Sequence, residues 1–366
     1  MERAGAIMAS CLIQKQSHCS RERTPEIGGP KTMRRIFLTH TGDARANYYG
    51  DEAVAKLRAL GDVVLNESGH PLTTSEVIEI ARECEIIVSD RQTRGDPEIF
   101  RALPNLVAFA RCAVDIRNID VGAASEAGVL VTRASAGFIN AVSEWIVGVM
   151  IDLSRNITAN VVEYRNARMP VPAMGRELCG STLGIIGYGQ IGRHLATVAR
   201  ALQMRVLIAD PHASVADSPD VVPVPLEQLL SDSDYVVCLA IASPETENLI
   251  DADALRAMKR TAYFINASRG ELVDESALLR ALDERWIAGC AMDVGRDPDQ
   301  MPRFTLAQHP RVIATPHTAG LTPDAVRHQA METVRQVEAM VRGEVPVGAV
   351  NADRATRFAA FVARRR

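Results

Sequence analysis

One short stretch, residues 183–192, constrains the fold of this chain more than any other. It reads LGIIGYGQIG, which places Gly187, Gly189 and Gly192 in the spacing G-x-G-x-x-G. A strand-like apolar run precedes these glycines, and apolar residues at helical spacing follow them. The first glycine permits a tight turn, the second lets the backbone approach a pyrophosphate, and the third lets the helix pack on the strand. The stretch therefore predicts a Rossmann-type dinucleotide-binding unit.

An acidic residue ends the next predicted strand of this unit. The strand covers 205–209, and Asp210 follows it, 18 residues beyond Gly192. A carboxylate at this place accepts hydrogen bonds from the adenosine ribose hydroxyls and repels a 2′-phosphate. We therefore expect the cofactor to be NAD rather than NADP.

The chain is long enough for two domains, since 366 residues exceed what one hydrophobic core usually serves. Short apolar runs alternate with helical patterns, which indicates parallel sheets flanked by helices. A first series has predicted strands at 36–39, 62–65, 85–89, 106–111 and 129–132. A second has predicted strands at 183–186, 205–209, 235–239, 262–266, 289–293 and 312–315.

These series predict an α/β protein with two doubly wound parallel-sheet domains, a flavodoxin-like substrate domain and a Rossmann NAD-binding domain, with a cleft between them. A predicted helix at 140–160 bridges the two, and another at 324–342 returns to the first. The expected ranges are 33–136 with 318–350 for the substrate domain, 137–317 for the NAD-binding domain, 1–32 for a disordered N-terminal tail and 351–366 for a C-terminal tail.

Composition argues against several classes of partner. The formal net charge is −4, which offers no global attraction to nucleic acid or to an acidic membrane surface. No apolar run approaches the roughly 18 residues that span a bilayer. The seven cysteines are scattered, with no C-x-x-C spacing. The histidines and acidic residues show no spacing typical of metal ligands, such as H-E-x-x-H. We expect no metal, a reducing, cytoplasmic location and a small-molecule partner.

Two later clusters supply candidate catalytic residues. Residues 266–274, NASRGELVD, place Arg269 just after a buried strand, and residues 315–320, TPHTAG, place His317 just after another. Ligands of open α/β sheets bind at these strand ends. An arginine offers a planar fork to a carboxylate or a carbonyl, and a histidine passes a proton near neutral pH. Hydride exchange with a 2-hydroxy acid requires both groups at one carbon.

The order of these motifs resembles that of the D-2-hydroxyacid dehydrogenase family over about residues 33–350. The motifs are the glycine fingerprint, N-A-S-R-G-x-x-V-D, A-M-D-V and T-P-H-x-A-G, preceded by R-x-x-V, N-I-D and A-V-S-E-W. The resemblance implies that Arg269 binds the substrate carboxylate and carbonyl oxygen and that His317 is the general acid/base. It also implies that Asp293 meets the nicotinamide carboxamide.

The same resemblance implies the remaining cofactor contacts and the assembly. Backbone amides of Gln190 and Ile191 are expected at the pyrophosphate, and Ala267 and Gly320 are expected beside the cofactor. Family members pair through their NAD-binding domains, with the bridging helix and Trp145 near the contact. We therefore expect a homodimer.

Two departures from the family pattern concern the site itself. The pattern D-V-x-x-x-E-P is one residue shorter here and ends in Asp297 and Pro298, so Asp297 is the candidate to orient His317 and raise its pKa. The family's G-V-G loop, whose amides grip the substrate carboxylate, reads Ala113, Val114 and Asp115. Val114 can still offer its N–H. Asp115 repels an anion unless an arginine at 94, 111 or 117 pairs with it, or else the loop serves a different substrate.

Two functions remain open from the sequence. The first is an NAD-dependent oxidoreductase that acts on a small 2-keto or 2-hydroxy acid. The second is an NAD(H)-sensing binding protein resembling the C-terminal-binding co-repressors, a reading that the changes at Asp297 and Asp115 favour. A cysteine nucleophile is not expected, because Cys112, the one cysteine beside the presumed site, falls where a strand end packs.

Overall fold

The structure, a computed structural model, describes residues 34–212 and 221–364. Within these ranges, twelve strands form two sheets, and all neighbouring strands within each sheet run parallel. This confirms the expected α/β class with two parallel sheets. The expected disordered tail, 1–32, lies outside the described residues. Among the described helices, none is both long enough and apolar enough to cross a membrane.

The first sheet has five strands in the order β2-β1-β3-β4-β5, which is the flavodoxin-like order. The strands are β1 Arg35–Leu38, β2 Asp62–Leu65, β3 Ile86–Ser89, β4 Ala108–Arg111 and β5 Leu130–Arg133. The helices that connect them are α1 Gly42–Tyr48, α2 Asp51–Arg58, α3 Thr74–Ile80, α4 Pro97–Ala102 and α5 Val121–Glu126. We call this sheet and the helices packed on it the five-stranded lobe. Its central strands β1, β3 and β4 are almost entirely buried, which explains their near-continuous apolar sequences, whereas the edge strand β2 is half-buried.

Two helices connect the two sheets in the order of the chain, α6 Ile139–Arg155 and α7 Ile157–Arg165. One continuous helix over 140–160 was expected, but Asn156 adopts a left-handed conformation with φ of 52° and divides it. Asparagine tolerates this conformation better than other non-glycine residues, so it commonly ends a helix. The apolar face of α6 packs on α8 and on the seven-stranded sheet described next.

The second sheet has seven strands in the order β12-β11-β10-β9-β6-β7-β8, with the sheet order reversing beside β6 as in a Rossmann fold. The strands are β6 Thr182–Ile186, β7 Arg205–Ala209, β8 Val221–Pro223, β9 Tyr235–Cys238, β10 Tyr263–Asn266, β11 Gly289–Met292 and β12 Val312–Ala314. The helices are α8 Gln190–Ala201, α9 Leu226–Asp232, α10 Ala252–Ala257, α11 Glu275–Asp283 and α12 Phe304–Ala307. We call this sheet, its helices and α6 the seven-stranded lobe.

Strand β8 was not predicted, because Pro223 and Pro225 interrupt its short apolar run. It pairs with β7 alone at the edge of the sheet, and an edge strand tolerates proline since its outer side donates to no neighbour. The other eleven strands lie within a few residues of their predicted positions.

Two C-terminal helices, α13 Pro323–Arg342 and α14 Thr356–Ala363, pack on the five-stranded lobe. Helix α13 starts one residue before its expected range, 324–342; Thr322 caps its first turn, and Gly343 ends it in a left-handed conformation. Residues 351–366 were expected to be a tail, but α14 corrects this within residues 351–364. Phe358 and Phe361 share one face of that helix and are buried against α13 and the sheet.

Candidate functional site

A cleft of about 940 Å³ lies where the carboxyl ends of strands from both lobes meet. Loops after β3 and β4 line one side, and loops after β9, β10, β11 and β12 line the other. The size is typical of a small-molecule site. Of the predicted site residues, the lining contains Val114, Asp115, Ile191, Ala267, Arg269, Asp293, Asp297, His317 and Gly320.

The glycine turn between β6 and α8 has the geometry that its sequence predicts. Gly187 has φ of 95°, and a Cβ there would lie 2.7 Å from Ala240 N. A Cβ on Gly192 would lie 2.4 Å from the carbonyl oxygen of Gly187, so only glycine lets the helix approach this closely.

Gly189 differs from these two glycines, because a Cβ built on it meets no protein atom within 4 Å. It caps α8, and among the described residues no side chain caps this helix end, whose first residues are Gln190 and Ile191. A helix N-terminus with free N–H groups and open space in front of it fits a bound pyrophosphate. The residues present therefore fit a dinucleotide.

Asp210 follows β7 beside the glycine turn. Its carboxylate accepts hydrogen bonds from Tyr188 N at 2.7 Å and from His212 N at 2.9 Å. These contacts hold the carboxylate next to the helix start, where an adenosine ribose would lie in a Rossmann fold.

Arg269 stands on a loop that a buried residue organises. Asn266, fully buried at the end of β10, accepts from Ser268 N at 3.1 Å and donates to Arg269 O at 2.8 Å. Ser268 Oγ donates to Ala240 O at 2.6 Å, which ties this loop to the loop after β9. The sequence motif included Asn266, but its positioning role was not assigned, because nothing in one sequence shows which amide turns inward.

Asp293 braces the loop that carries His317. The carboxylate accepts from Thr315 Oγ1 at 2.5 Å, Thr318 N at 2.8 Å and Ala319 N at 2.9 Å, and the residue is 2% exposed. His317 N in turn donates to Asp293 O at 2.9 Å. This network holds His317 at φ of 55°, a left-handed conformation that costs energy in a non-glycine residue. In this structure, Asp293 is a brace for the histidine loop.

The histidine ring has a partner that the sequence did not predict. His317 Nδ1 lies 2.7 Å from the main-chain carbonyl oxygen of Asp299. A carbonyl oxygen can only accept, so Nδ1 carries a proton, and Nε2 is the nitrogen left to exchange one. Asp299 itself has φ of 62°, and its carboxylate pairs with Arg91 of the other lobe at 2.7 Å.

Asp297, the residue expected to orient His317, has other contacts. Its carboxylate lies 3.6 Å from Arg303 Nε, and its backbone N–H donates to Met301 O at 3.1 Å. The shortened loop turns at residues 298–300 and brings the next acidic residue, Asp299, to the histidine through its backbone. This corrects the expected pairing, because residue spacing alone does not show which way such a turn closes.

Asp115 pairs with two arginines that also line the cleft. Arg117 contacts both carboxylate oxygens, with Nη2–Oδ2 at 2.8 Å and Nε–Oδ1 at 3.1 Å. Arg269 Nη2 lies 3.6 Å from Oδ2. Burial opposes ionisation of Asp115, but the hydrogen bonds from Arg117 outweigh it and, with the charge of Arg269, hold its pKa at about 2. Of the three arginines considered from the sequence, Arg117 is the one that pairs with Asp115.

Arg111, another of those three, positions both cleft loops of its lobe. Its guanidinium is fully buried and donates to Asp90 O, to Thr93 O at 2.8 Å and to Asn118 Oδ1 at 2.8 Å. Burial lowers its pKa to about 10, partly offset by the charge of Asp90. These bonds join the loop that carries Arg91 to the loop that carries Asp115. The third arginine, Arg94, pairs with Asp96 instead.

Cys112 has no place in the chemistry of this cleft. Its thiol is buried at the end of β4, and burial raises its pKa to about 12. A thiol with so high a pKa is a poor nucleophile.

Comparison with known proteins gives this site a context. Residues 147–319 match the family model described as D-isomer specific 2-hydroxyacid dehydrogenase, NAD binding domain. The chain is 31% identical over 324 residues to a glyoxylate reductase of Korarchaeum cryptofilum, which covers 87% of this chain and 96% of that protein. It is 34% identical over 286 residues to a D-3-phosphoglycerate dehydrogenase of Synechocystis, and this match covers 76% of this chain and 51% of that protein.

A solved structure shows the same likeness over the whole fold. The apo-structure of D-lactate dehydrogenase from Escherichia coli superposes with a TM-score of 0.74 at 26% sequence identity. The match covers 86% of this chain and 99% of that one.

Proposed function

Since this chain belongs to the D-isomer specific 2-hydroxyacid dehydrogenase family and is an NAD-dependent oxidoreductase, we propose that it interconverts a small 2-keto acid and its 2-hydroxy acid, with Arg269 and His317 as catalytic residues. The observation that carries the proposal is the convergence of these two side chains on one cleft, each just beyond the end of a strand. The similar proteins described above are three different enzymes, a glyoxylate reductase, a D-3-phosphoglycerate dehydrogenase and a D-lactate dehydrogenase, so the particular acid is part of the proposal.

Arg269 binds the substrate carboxylate and polarises its carbonyl. Its Nη1 donates to Ser268 O at 2.7 Å, which fixes the guanidinium beside the backbone of its own loop. The guanidinium points across the cleft towards Asp115 on the other lobe. A planar guanidinium in this place matches an oxygen pair of a 2-keto acid. The backbone N–H of Val114, in the loop where the family pattern has G-V-G, is the second donor that we assign to the carboxylate.

His317 moves the proton. Because its Nδ1–H is held by Asp299 O, Nε2 is the atom that donates a proton to the carbonyl oxygen during reduction. In oxidation the same nitrogen accepts the proton of the hydroxyl group. The left-handed backbone of His317, braced by Asp293, limits where the ring can lie and so keeps Nε2 aimed at one place.

The NAD cofactor supplies the hydride when it is bound. We assign its pyrophosphate to the amides of Gln190 and Ile191 above Gly189, and its adenosine ribose to Asp210. Ala267 and Gly320 are assigned to the nicotinamide, since both line the cleft, as Arg269 and His317 do.

Steady-state oxidation of NADH tests this function. The wild-type chain is expected to oxidise NADH with at least one of glyoxylate, hydroxypyruvate and pyruvate. Arg269→Ala is expected to lower kcat/KM by a factor on the order of 10² or more, because the loss of a charged hydrogen-bond partner is costly in a desolvated site. Arg335→Ala, on an exposed position of α13, is the matched control. If no acid is reduced, the proposal fails, and if Arg269→Ala matches the control, the site assignment fails.

A second candidate, an NAD(H)-sensing binding protein, is favoured by one observation. Asp115 lies 3.6 Å from Arg269 and so competes with a substrate carboxylate for it. A sensor of this kind would bind NADH tightly and turn over 2-keto acids only negligibly. Measuring NADH affinity beside the acid panel separates the two functions.

We also propose that two copies pair through the seven-stranded lobe. Exposed apolar side chains gather on α7 and on the segment after it: Ile157, Val161, Val162, Tyr164, Met169, Val171 and Met174. Met174 is 99% exposed and Val171 is 84% exposed, which is costly in water unless another surface covers them. The resemblance to the family makes a second copy the partner. Light scattering should give twice the chain mass, and Val171→Asp with Met174→Asp should shift the protein towards monomer.

We also propose domain boundaries and a cellular location for this chain. We assign residues 34–136 and 318–350 to a substrate domain and 137–317 to an NAD-binding domain. We extend the substrate domain to α14, since this helix packs there. A cytoplasmic location is supported by the free thiols at 84, 112, 179, 238 and 290. Cell fractionation tests the location.

A further inference from the structure

Every arginine that lines the cleft is already paired with a carboxylate. Four arginines line it, and each has a carboxylate partner: Arg91 with Asp299 at 2.7 Å, Arg117 with Asp115 at 2.8 Å, Arg269 with Asp115 at 3.6 Å and Arg296 with Glu247 at 2.8 Å. Five carboxylates line the cleft beside these four guanidinium groups. Among the described lining residues, no arginine is left to receive a second anionic group.

Asp115 is the centre of this pairing. Its carboxylate stands opposite Arg269, in the position that a bound acid must share. Arg117 holds it there through both oxygens, Nε to Oδ1 and Nη2 to Oδ2, and also lies 3.8 Å from Glu271 of the other lobe. The substrate carboxylate can therefore draw Arg269 away from Asp115, because Asp115 keeps its shorter contacts with Arg117. A second negative charge on the substrate finds no such partner.

We infer that the cleft selects 2-keto acids carrying a single negative charge, and that Asp115 sets this selectivity by placing a fixed carboxylate beside Arg269. The inference rests on the proposed function and narrows its substrate class. Acids with an uncharged far end fit, whereas a phosphorylated or dicarboxylic acid places its second charge among carboxylates. Like charges placed together in a desolvated site cost enough to change affinity by a factor of about ten or more.

The distinguishing experiment compares two acids that differ by one phosphate group, hydroxypyruvate and 3-phosphohydroxypyruvate. Wild-type kcat/KM is expected to be at least about tenfold higher for hydroxypyruvate. Asp115→Asn, which keeps the side-chain shape and removes the charge, is expected to raise kcat/KM more for the phosphorylated acid and so to narrow the ratio by about tenfold. Asp253→Asn changes the net charge equally on an exposed helix position and is expected to leave the ratio unchanged.

A binding measurement separates failure of this inference from failure of the proposed function. D-glycerate and D-3-phosphoglycerate are titrated by calorimetry into the protein saturated with NADH. No turnover occurs, because the hydroxy acid and the cofactor are both in their reduced forms. D-glycerate is expected to bind about tenfold more tightly. If the phosphorylated acid binds or reacts as well as its counterpart in the wild type, the inference is overturned, even where NADH oxidation confirms a dehydrogenase. If no 2-keto acid is reduced, the ratio of the affinities for D-glycerate and D-3-phosphoglycerate still tests the charge selectivity.

Discussion

His317 Nδ1 lies 2.7 Å from the main-chain carbonyl oxygen of Asp299. The ring of the proposed acid/base is therefore oriented by backbone, and no side-chain substitution at 299 removes the acceptor. The carboxylate of Asp299 meanwhile reaches Arg91 on the opposite lobe. One residue thus joins the histidine to a contact that spans the cleft.

The first prediction concerns Asp297. Because its carboxylate pairs with Arg303 and His317 uses Asp299 O, Asp297→Asn should leave the pH–rate profile of 2-keto acid reduction superimposable on that of the wild type. The maximal rate should change by less than about threefold, as expected for loss of an exposed ion pair. A displaced profile would show that Asp297 acts on the histidine after all.

The second prediction concerns Arg91. Arg91→Ala removes the interlobe ion pair with Asp299, so the loop that orients His317 loses one of its supports. We expect kcat to fall by roughly threefold to fivefold, the scale of an exposed pair, with partial recovery in Arg91→Lys. Arg94→Ala is the matched control, since Arg94 pairs with Asp96 within its own lobe. Equal kcat values for both alanine variants would contradict this role.

The third prediction compares two glycines of the nucleotide turn. Gly189→Ala adds a methyl group into open space, so it should fold with a Tm close to that of the wild type but bind NADH at least about tenfold more weakly. Gly187→Ala meets backbone at 2.7 Å with a positive φ, so it should lose on the order of 2 kcal/mol of unfolding free energy. Unchanged NADH affinity in Gly189→Ala would place the pyrophosphate elsewhere.

The fourth prediction follows from the buried His40. Burial lowers its pKa from 6.5 to about 4; the charge of Asp90 opposes the shift and that of Arg111 adds to it. Below pH 6.5 the unfolded chain binds a proton at this histidine that the folded chain refuses until about pH 4. The free energy of unfolding should therefore fall as the pH is lowered through this window, by a contribution on the order of 3 kcal/mol.

Chemical denaturation between pH 4 and 8 measures that slope. His40→Asn should flatten the acid loss relative to the wild type, while His70→Gln, at an exposed loop position, should not. Parallel slopes for the wild type and His40→Asn would contradict the assignment.

The sequence predicted the strands and helices that have strong hydrophobic periodicity. It did not predict the side-chain contacts that depend on how short loops close. The comparisons confirm the family, the enzyme class and the NAD cofactor, and the two parallel sheets are as expected. The motifs that led there are local, since strand, glycine turn and helix occupy one continuous stretch.

The missed features have a different origin. The edge strand β8 contains Pro223, which local propensity rejects and an edge position allows. Asp297 alone was expected to orient His317, but the left-handed residues Asp299 and Gln300 turn the loop so that Asp299 O reaches the ring instead. The partner of Asp115 could be narrowed to three arginines, but only the folded loop selects Arg117. Which side chains of a loop pair with one another depends on how the loop folds, which neither propensity nor spacing encodes.

The proton transfer assigned to His317 is the centre of this account, and single-turnover reduction by His317→Gln tests it most directly. With NADH pre-bound and excess hydroxypyruvate, the variant should oxidise NADH more slowly by a factor on the order of 10² to 10⁴, the usual contribution of general acid–base catalysis. Its equilibrium affinity for NADH should stay within about threefold of the wild type. A variant that retains more than about a tenth of the wild-type rate would contradict the assignment of His317 as the proton donor.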